Sequence, residues 1–318
     1  TYLASIGPSS AAASPWNPNA NSPVVPLAVG GSSVYVGGQF DRIGGHARNY
    51  LAALDATTGA AGAWDPGVNR WVRALAVSGS TIYAGGEFTS VGGQARNNIA
   101  AFNALSGAVT AWNPDASAPV RSLVVYGSVV YAAGEFGTIG GQTHVGVAAL
   151  DANTGAATAW NPNCDGAVYA LAVRGSTIYA VGGFLNIGGQ TRYYVAALDS
   201  ATGLATPWDP HADNPTLAVA VNDSAVYVGG GFQNIGGQAR MHIAALDPTT
   251  GAATPWDPNA GDLFTYVSAL ALRDSSIYAV GTFTSIGGQA RNHIAELNAR
   301  TGAATAWDPS PDNNVYAV

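Results

Sequence analysis

Arginine recurs at one position of a glycine-rich segment that the chain repeats, and glutamine precedes it by two residues in most copies. A planar guanidinium and an amide can both form paired hydrogen bonds with carboxylates, sulfates or sugar hydroxyls. We therefore treat these side chains as candidate ligand-binding groups. The alternative is that each arginine ties its own segment to a backbone carbonyl or to an aspartate of a neighbouring repeat. The candidates are Arg48, Arg96, Arg192, Arg240 and Arg291, with Gln94, Gln190 and Gln238.

Two aromatic residues form a second candidate. The segment from Gly261 to Tyr266 contains a three-residue insertion that adds Phe264 and Tyr266 to the connection between two repeats. Aromatic side chains exposed on such a connection are suited to contact a partner. The equally plain alternative is that the insertion packs on its neighbour.

The chain gives little support for catalysis. Four of its five histidines lie in the glycine-rich segments of different repeats, and its three glutamates, Glu87, Glu135 and Glu296, also belong to separate repeats. No nucleophile elbow, phosphate loop, zinc-binding helix motif or calcium loop occurs in the sequence. A single cysteine, Cys164, cannot form an internal disulfide or a multi-cysteine metal site. We predict no catalytic residue, no metal and no cofactor.

The arrangement of these residues follows an internal repeat. A Gly-Gly pair begins at Gly44 and returns five times at spacings of 48, 48, 48, 48 and 51 residues. A fixed period in this range is typical of solenoids, arrays and propellers. A second marker, Trp-Asp/Asn-Pro, occurs seven times, at Trp16, Trp64, Trp112, Trp160, Trp208, Trp256 and Trp307.

One repeat reads as four short strands. In the second repeat, alternating apolar residues predict strand A at Val72–Val77, strand B at Thr81–Ala84, strand C at Asn98–Phe102 and strand D at Ala108–Trp112. The polar, glycine-rich stretch between B and C predicts a loop. Four strands in about 48 residues, with no helical periodicity, predict a β-propeller blade. The tryptophan that ends strand D is interpreted as a structural plug between blades.

The repeats predict one all-β domain over residues 1–318, a β-propeller with six complete blades and a seventh blade that is divided between the two ends of the chain. Residues 1–18 match strands C and D, and residues 310–318 match the start of strand A, so the two ends can contribute to a seventh blade. Strand B of that blade is missing, so either the natural protein continues by about 20 residues, or the ring has six blades and the terminal pieces pack elsewhere. The complete units span about 19–66, 67–114, 115–162, 163–210, 211–258 and 259–309.

Composition limits the possible partners. The formal net charge is −7 and every Lys+Arg residue is arginine, which argues against nucleic acid and anionic membranes because both need basic clusters. No apolar run reaches the length of a membrane span. The chain opens at Thr1 without methionine, and its low charge with few Cys and Met residues is typical of an exported bacterial protein.

The repeated set Phe-x-x-Ile/Val-Gly-Gly-x-x-Arg, Ile-Ala-Ala-Leu-Asp and aromatic-x-Pro resembles the delta-60 repeat family of bacterial β-propellers over nearly the whole chain. This resemblance implies an exported or cell-surface propeller and carries no reaction with it. The run from Ala149 to Gly155 followed by Trp160 is also similar to the tryptophan-docking repeats of quinoprotein propellers. Its tryptophan falls one residue later, so we interpret that likeness as shared blade packing.

Three functions are compatible with these observations. The favoured one is a non-catalytic extracellular scaffold that binds a glycan or protein partner at the cell surface, with self-association as a further option. The second is a structural subunit of a surface layer, sheath or filament, in which strand addition between copies completes the divided blade. The third is a hydrolase or lyase acting on polysaccharide.

Overall fold

The computed structural model describes residues 2–261 and 263–318, and within them the protein is all-β. The chain divides into two compact units, one containing residues 2–7 and 12–159 and the other containing residues 8–11, 160–261 and 263–318. In the described residues there is no helix that is long and apolar enough to cross a membrane.

Each repeat from the first to the sixth forms a three-stranded antiparallel sheet in the order A, B, C. Strand A covers Val24–Gly30, Val72–Ser78, Val120–Tyr126, Val168–Arg174, Thr216–Val221 and Val267–Arg273. Strand B covers Ser33–Gly38, Thr81–Gly86, Val129–Gly134, Thr177–Gly182, Val226–Gly230 and Ser276–Gly281. Strand C covers Leu51–Asp55, Ile99–Asn103, Val147–Asp151, Val195–Asp199, Ile243–Leu246 and Ile294–Asn298. These bounds agree with the predicted strands to within two residues in the second repeat.

The glycine-rich stretch between strands B and C is a small hairpin, so the prediction of a loop was wrong in this detail. Its turn is the Gly-Gly pair, and both glycines have positive φ, 61° at Gly44 and 83° at Gly45, which side chains rarely tolerate. Two-residue strands flank the turn at Arg42–Ile43 with His46–Ala47, Ser90–Val91 with Gln94–Ala95, Thr138–Ile139 with Gln142–Thr143, Asn186–Ile187 with Gln190–Thr191, Asn234–Ile235 with Gln238–Ala239, and Ser285–Ile286 with Gln289–Ala290.

The predicted strand D is not a strand of the sheet. It joins strand C through a single bridge, as between Leu54 and Ala61. In five of the six repeats, a backbone N–H of this segment donates to the hairpin: the N–H of Ala61, for example, donates to the carbonyl oxygen of Gly44 at 3.0 Å. The fourth element therefore connects strand C to the Gly-Gly turn instead of extending the sheet.

Successive sheets within a unit pack through strands A and B. The side chain of Val120, on strand A of repeat 3, lies against Gly85 on strand B of repeat 2. A Cβ added at Gly85 would overlap the Val120 side chain, which explains a glycine at this position in a buried strand. Core side chains such as Tyr83, Val120 and Phe136 are buried in the same cluster.

The N-terminal segment has the same local structure as the end of a repeat. Ile6 and Ala13 form the bridge that Leu54 and Ala61 form 48 residues later, and Thr1 lies outside the described residues. Residues 310–318, matched in sequence to the start of a strand A, form no strand.

Candidate functional site

The repeated arginines are bound to their own repeats. Each guanidinium donates from Nη1 to the carbonyl oxygen of the preceding residue and from Nη2 to a carbonyl oxygen fourteen residues later, in the segment before the tryptophan. Arg192, for example, donates to Thr191 and to Thr206, at 2.8 Å in both cases. The guanidinium thus clamps the hairpin to the segment that follows strand C.

Four of these arginines also form an ion pair with the aspartate of Trp-Asp-Pro. Arg48 lies 3.4 Å from Asp65 and Arg192 lies 3.4 Å from Asp209, with 13% and 11% of the two arginine side chains exposed. The aspartate belongs to the same repeat as the arginine. The alternative in the sequence analysis, an aspartate of a neighbouring repeat, was therefore wrong on this point. The corresponding pairs in the last two repeats are Arg240–Asp257 and Arg291–Asp308.

Repeats 2 and 3 vary this clamp. Arg96 keeps its bond to Thr110 and also donates to Gln94 at 3.3 Å, and Asn113 stands at the aspartate position of this repeat. Repeat 3 has His144 in place of arginine; the side chain is buried, and burial lowers the pKa of its imidazole. The other predicted glutamines, Gln190 and Gln238, are exposed on the hairpin.

The inserted segment of repeat 6 exposes one of its two aromatic residues fully. Phe264 is 92% exposed and Tyr266 is 38% exposed. The backbone N–H of Tyr266 is fixed by the hydroxyl of Thr282, 3.1 Å away. Asp262, in the same insertion, lies outside the described residues. Tyr266 therefore directly precedes strand A with its backbone anchored, while Phe264 projects from the connection.

The marker tryptophans connect successive repeats. The indole N–H of Trp64 donates to the carbonyl oxygen of Asn103, 39 residues later, at 3.1 Å. Its ring also meets Tyr35 edge to face, with ring centroids 5.4 Å apart. All seven except Trp16 are buried. This geometry matches a structural role for these residues.

A further set of positions, which the sequence reasoning did not single out, lies at the start of strand A. The pairing of A with B shifts register there, as between Val72 and Ala74, so that one extra residue forms a β-bulge. The bulge recurs in the six sheets. From the second repeat to the sixth, the bulge residues are Arg73, Arg121, Tyr169, Leu217 and Ser268.

The bulge residue varies together with the residue that follows strand B. In repeat 2 the Nε of Arg73 donates to the carboxylate of Glu87 at 2.6 Å, and repeat 3 has the same bond from Arg121 to Glu135. In repeat 4 the pair is Tyr169 and Gly183, and the tyrosine hydroxyl occupies the space next to the glycine. Repeats 5 and 6 have Leu217 with Gly231 and Ser268 with Thr282.

The first unit has a charged and aromatic group around these positions, which we call the bulge cluster. It consists of the bulge residues Arg73 and Arg121, of Glu87 and Glu135 after strand B, and of Trp71, which directly precedes strand A of repeat 2. The guanidinium carbon of Arg73 lies 5.0 Å from the centre of the Trp71 ring, a cation–π distance. Glu87 also pairs with Arg70 at 3.4 Å. The side chains of both ion pairs are partly exposed, 23% and 17% for Arg73 and Glu87 and 34% and 39% for Arg121 and Glu135.

The third glutamate has a different environment. Glu296 lies on strand C of repeat 6, where it accepts hydrogen bonds from the hydroxyls of Ser276, Tyr278 and Thr305 at 2.6 to 3.1 Å. Burial works to raise the pKa of its carboxyl, but the three hydroxyls outweigh burial and hold the pKa below its ordinary value. Its carboxylate oxygens are committed to its own repeat.

Cys164 and Asp165 occupy regular positions of the repeat. Cys164 is buried at a position where other repeats have alanine, for example Ala116 and Ala212. Asp165 accepts the backbone N–H groups of Leu185 and Asn186 at 2.9 and 3.0 Å. Among residues 2–261 and 263–318, no group of three or more His, Cys, Asp or Glu residues is placed to hold a metal ion.

Comparisons with known proteins agree with this architecture. The chain has no match among curated proteins. Over 95% of its length it is similar to the crystal structure of the computationally designed Ika8 protein, with a TM-score of 0.61, 16% identity and 92% of that chain covered. It is similar to the same extent, at 14% identity and a TM-score of 0.61, to a chain in the crystal structure of the Mitotic Checkpoint Complex, of which 85% is covered.

A family model matches two segments of the chain, residues 81–109 and 272–303. The model is described as the β-propeller domain of unknown function DUF5122. Both segments run through strand C and contain the Gly-Gly hairpin with its clamping arginine, Arg96 or Arg291. With sheets that repeat in the same order along the chain, these matches support a β-propeller repeat architecture.

Proposed function

We propose that this protein is a non-catalytic binding scaffold that acts outside a bacterial cell, presenting a glycan- or protein-binding surface on a rigid repeated framework. The observation that carries the proposal is the variation at the bulges. The framework around each bulge is kept, with the same register shift and the same glycine at the end of strand B, while the bulge residue changes between charged, aromatic, aliphatic and small types. Such variation on a fixed framework is typical of a recognition surface.

The clamping arginines contribute to this function indirectly. Because Arg192 and Arg240 direct their guanidinium groups to carbonyls of their own repeats, they fix the hairpins that hold the sheets. The proposal therefore assigns recognition to the bulges and to the exposed aromatics of repeat 6, Phe264 and Tyr266.

We further propose that the repeats are of the delta-60 type and form six complete blades and a seventh divided between residues 1–18 and 310–318. The bridge between Ile6 and Ala13 supports this proposal, since it reproduces the end of a complete repeat. Trp16 also donates its indole N–H to Asp55 at 3.0 Å, as the tryptophans of complete repeats do. Class averages from electron microscopy, viewed down the propeller axis, count the blades directly.

The binding role is tested by mass and by partner binding together. We expect light scattering to give a discrete particle with the 32.1 kDa mass of one chain. We also expect saturable binding of the immobilised protein to either a protein-free polysaccharide fraction or a detergent-solubilised protein fraction of the source cell envelope. Large polymers would instead favour a structural subunit, and the absence of saturable binding to both fractions would contradict the proposal.

Location is tested separately on intact cells. We expect the protein to be accessible to antibody and to added protease without lysis. Labelling that requires permeabilised cells would contradict an extracellular role.

A further inference from the structure

We infer that the bulge cluster of the first unit binds a glycan chain, with the two arginine–glutamate pairs contacting successive sugars. The inference rests on the proposed binding function and names the ligand class and the place. Its first support is that the fold does not need these ion pairs. Repeat 5 forms the same bulge in the same register with Leu217 and Gly231, so an uncharged pair satisfies the framework.

The second support is the chemistry of each pair. In repeat 2, Glu87 accepts from Nε of Arg73 and forms a close ion pair with its Nη2, and the guanidinium carbon lies over the Trp71 ring. A fixed pair offers hydrogen-bond donors and acceptors side by side with no net charge. Sugar hydroxyls are both donors and acceptors, so neighbouring hydroxyls match such a pair.

The third support is the repetition of the pair. Strand A of repeat 2 and strand A of repeat 3 are in contact, and Arg73 and Arg121 occupy the same bulge position on them. Two like pairs on adjacent strands suit a ligand that presents the same groups more than once along its length. A polysaccharide has this property because it is built from similar units.

The composition of the cluster favours a glycan over a protein partner. Protein interfaces are enriched in arginine and aromatic residues, but glutamate is depleted in them. The bulge cluster has two partly exposed glutamates, each paired with an arginine, beside one aromatic ring. The aromatic ring is suited to pack against the apolar face of a sugar.

The experiment measures migration in native gels that contain a soluble polysaccharide: hydroxyethyl cellulose, xylan, laminarin, glycol chitin or polygalacturonate. We expect at least one of them to retard the native protein. The variant R73L/E87G copies the residues of repeat 5, and R121L/E135G does the same one repeat later. We expect each to weaken binding at least tenfold and the combined variant to abolish retardation.

The matched control is Arg174→Ala, which removes another exposed ion pair, with Asp223, from the second unit. We expect R174A to bind as the native protein does. We expect Trp71→Ala to bind more weakly; this variant has the alanine that repeat 4 has at the equivalent position, Ala167. Thermal unfolding checks that each variant is folded. Because W71A leaves both ion pairs in place, it keeps the test decisive if a double variant fails to fold.

Two outcomes would overturn the inference in different ways. Equal retardation of the native protein and the combined variant would leave a glycan-binding function but place it elsewhere. No retardation by any of the five polysaccharides would overturn the glycan assignment, and the proposed binding role would then depend on the protein fraction of the preceding test. Acidic and neutral glycans are distinguished by whether polygalacturonate alone retards migration.

Discussion

Trp112 of repeat 2 donates its indole N–H to the main-chain carbonyl oxygen of Asp151 in repeat 3, at 3.0 Å. The ring is 4% exposed and meets Tyr83 edge to face with centroids 5.0 Å apart. One side chain thus joins the end of a repeat to the turn after strand C of the next one. This contact couples neighbouring sheets, so that each repeat depends on its successor for burial.

We expect Trp112→Phe to lower the free energy of unfolding by about 1–3 kcal/mol, because the partly buried hydrogen bond to the carbonyl of Asp151 is lost. Guanidinium-induced unfolding measures the change. Trp71→Phe is the matched control, since Trp71 lies at the partly exposed bulge cluster, and we expect a change below about 0.5 kcal/mol. Equal losses in the two variants would contradict a special role for the indole bond.

The last residue of strand B must be glycine, because the backbone just before strand A lies too close to it for a side chain. A Cβ at Gly134 would overlap the carbonyl oxygen of Pro119, whereas a Cβ at Gly137 would meet no atom within 4 Å. We expect Gly134→Ala to destabilise by about 1–3 kcal/mol, as overpacking does. For Gly137→Ala we expect no loss. Thermal unfolding of the two single variants is the measurement, and an unaffected G134A would show that strand A can shift at little cost.

The clamping arginine is expected to affect stability more than recognition. Arg240→Met removes the bonds to the carbonyls of Ala239 and Thr254 and the ion pair with Asp257. We expect a loss of about 1–3 kcal/mol in unfolding free energy and unchanged binding to any polysaccharide that retards the native protein. Loss of binding in a folded R240M variant would return this arginine to the group of ligand-binding candidates.

The repeat period predicted most of the fold because every strand of the repeat contributes the same side-chain pattern. The period located the sheets, the turn after strand C and the tryptophans from residue types alone. The hairpin was missed because Ser90–Val91 and Gln94–Ala95 are two-residue strands, which are too short to show alternation.

The bulge cluster could not be predicted for a different reason. Arg73 and Glu87 are fourteen residues apart on different strands, and only the register shift after Val72 places the two side chains together. Nothing in the local sequence marks that shift. A comparison of equivalent positions across the repeats could have found the cluster, because the residue at the position of Arg73 changes from repeat to repeat together with the residue at the position of Glu87.

The aspartates of the Asp-x-x-Thr-Gly turns predict a component of acid sensitivity. The backbone N–H of Thr58, followed by its hydroxyl and the N–H of Thr57, lowers the pKa of the Asp55 carboxyl from 3.8. Hydrogen bonds from the equivalent turn residues lower the pKa values of Asp151, Asp199 and Asp247. A carboxyl whose pKa is lower in the folded state stabilises the protein above the unfolded pKa, and this stability is lost as the pH falls through the folded pKa.

Asparagine supports the same turn without titrating, as Asn103 does by accepting the N–H groups of Leu105 and Ser106. We therefore expect the variant D55N/D151N/D199N/D247N to lose less stability than the native protein between about pH 5 and pH 2. Urea unfolding at a series of pH values measures the two slopes. The variant should keep part of the slope, because Asp165, Asp213 and Glu296 also have lowered pKa values. Parallel curves would contradict a contribution from the turns.

The reactivity of Cys164 measures whether the buried region around this residue opens to solvent. The residue is 5% exposed, its Sγ lies 3.2 Å from the carbonyl oxygen of Gly166, and burial raises the pKa of the thiol to about 12. Because the thiolate is the reactive form, we expect no reaction with a thiol reagent at pH 8 in the native state and complete reaction after denaturation. The control C164A/L105C places a thiol at a position that is 93% exposed and should react at once. Comparable reaction rates for Cys164 and the exposed thiol would show that this region opens readily. The variant C164A alone should change the free energy of unfolding by less than about 1 kcal/mol, because alanine occupies the same position in other repeats.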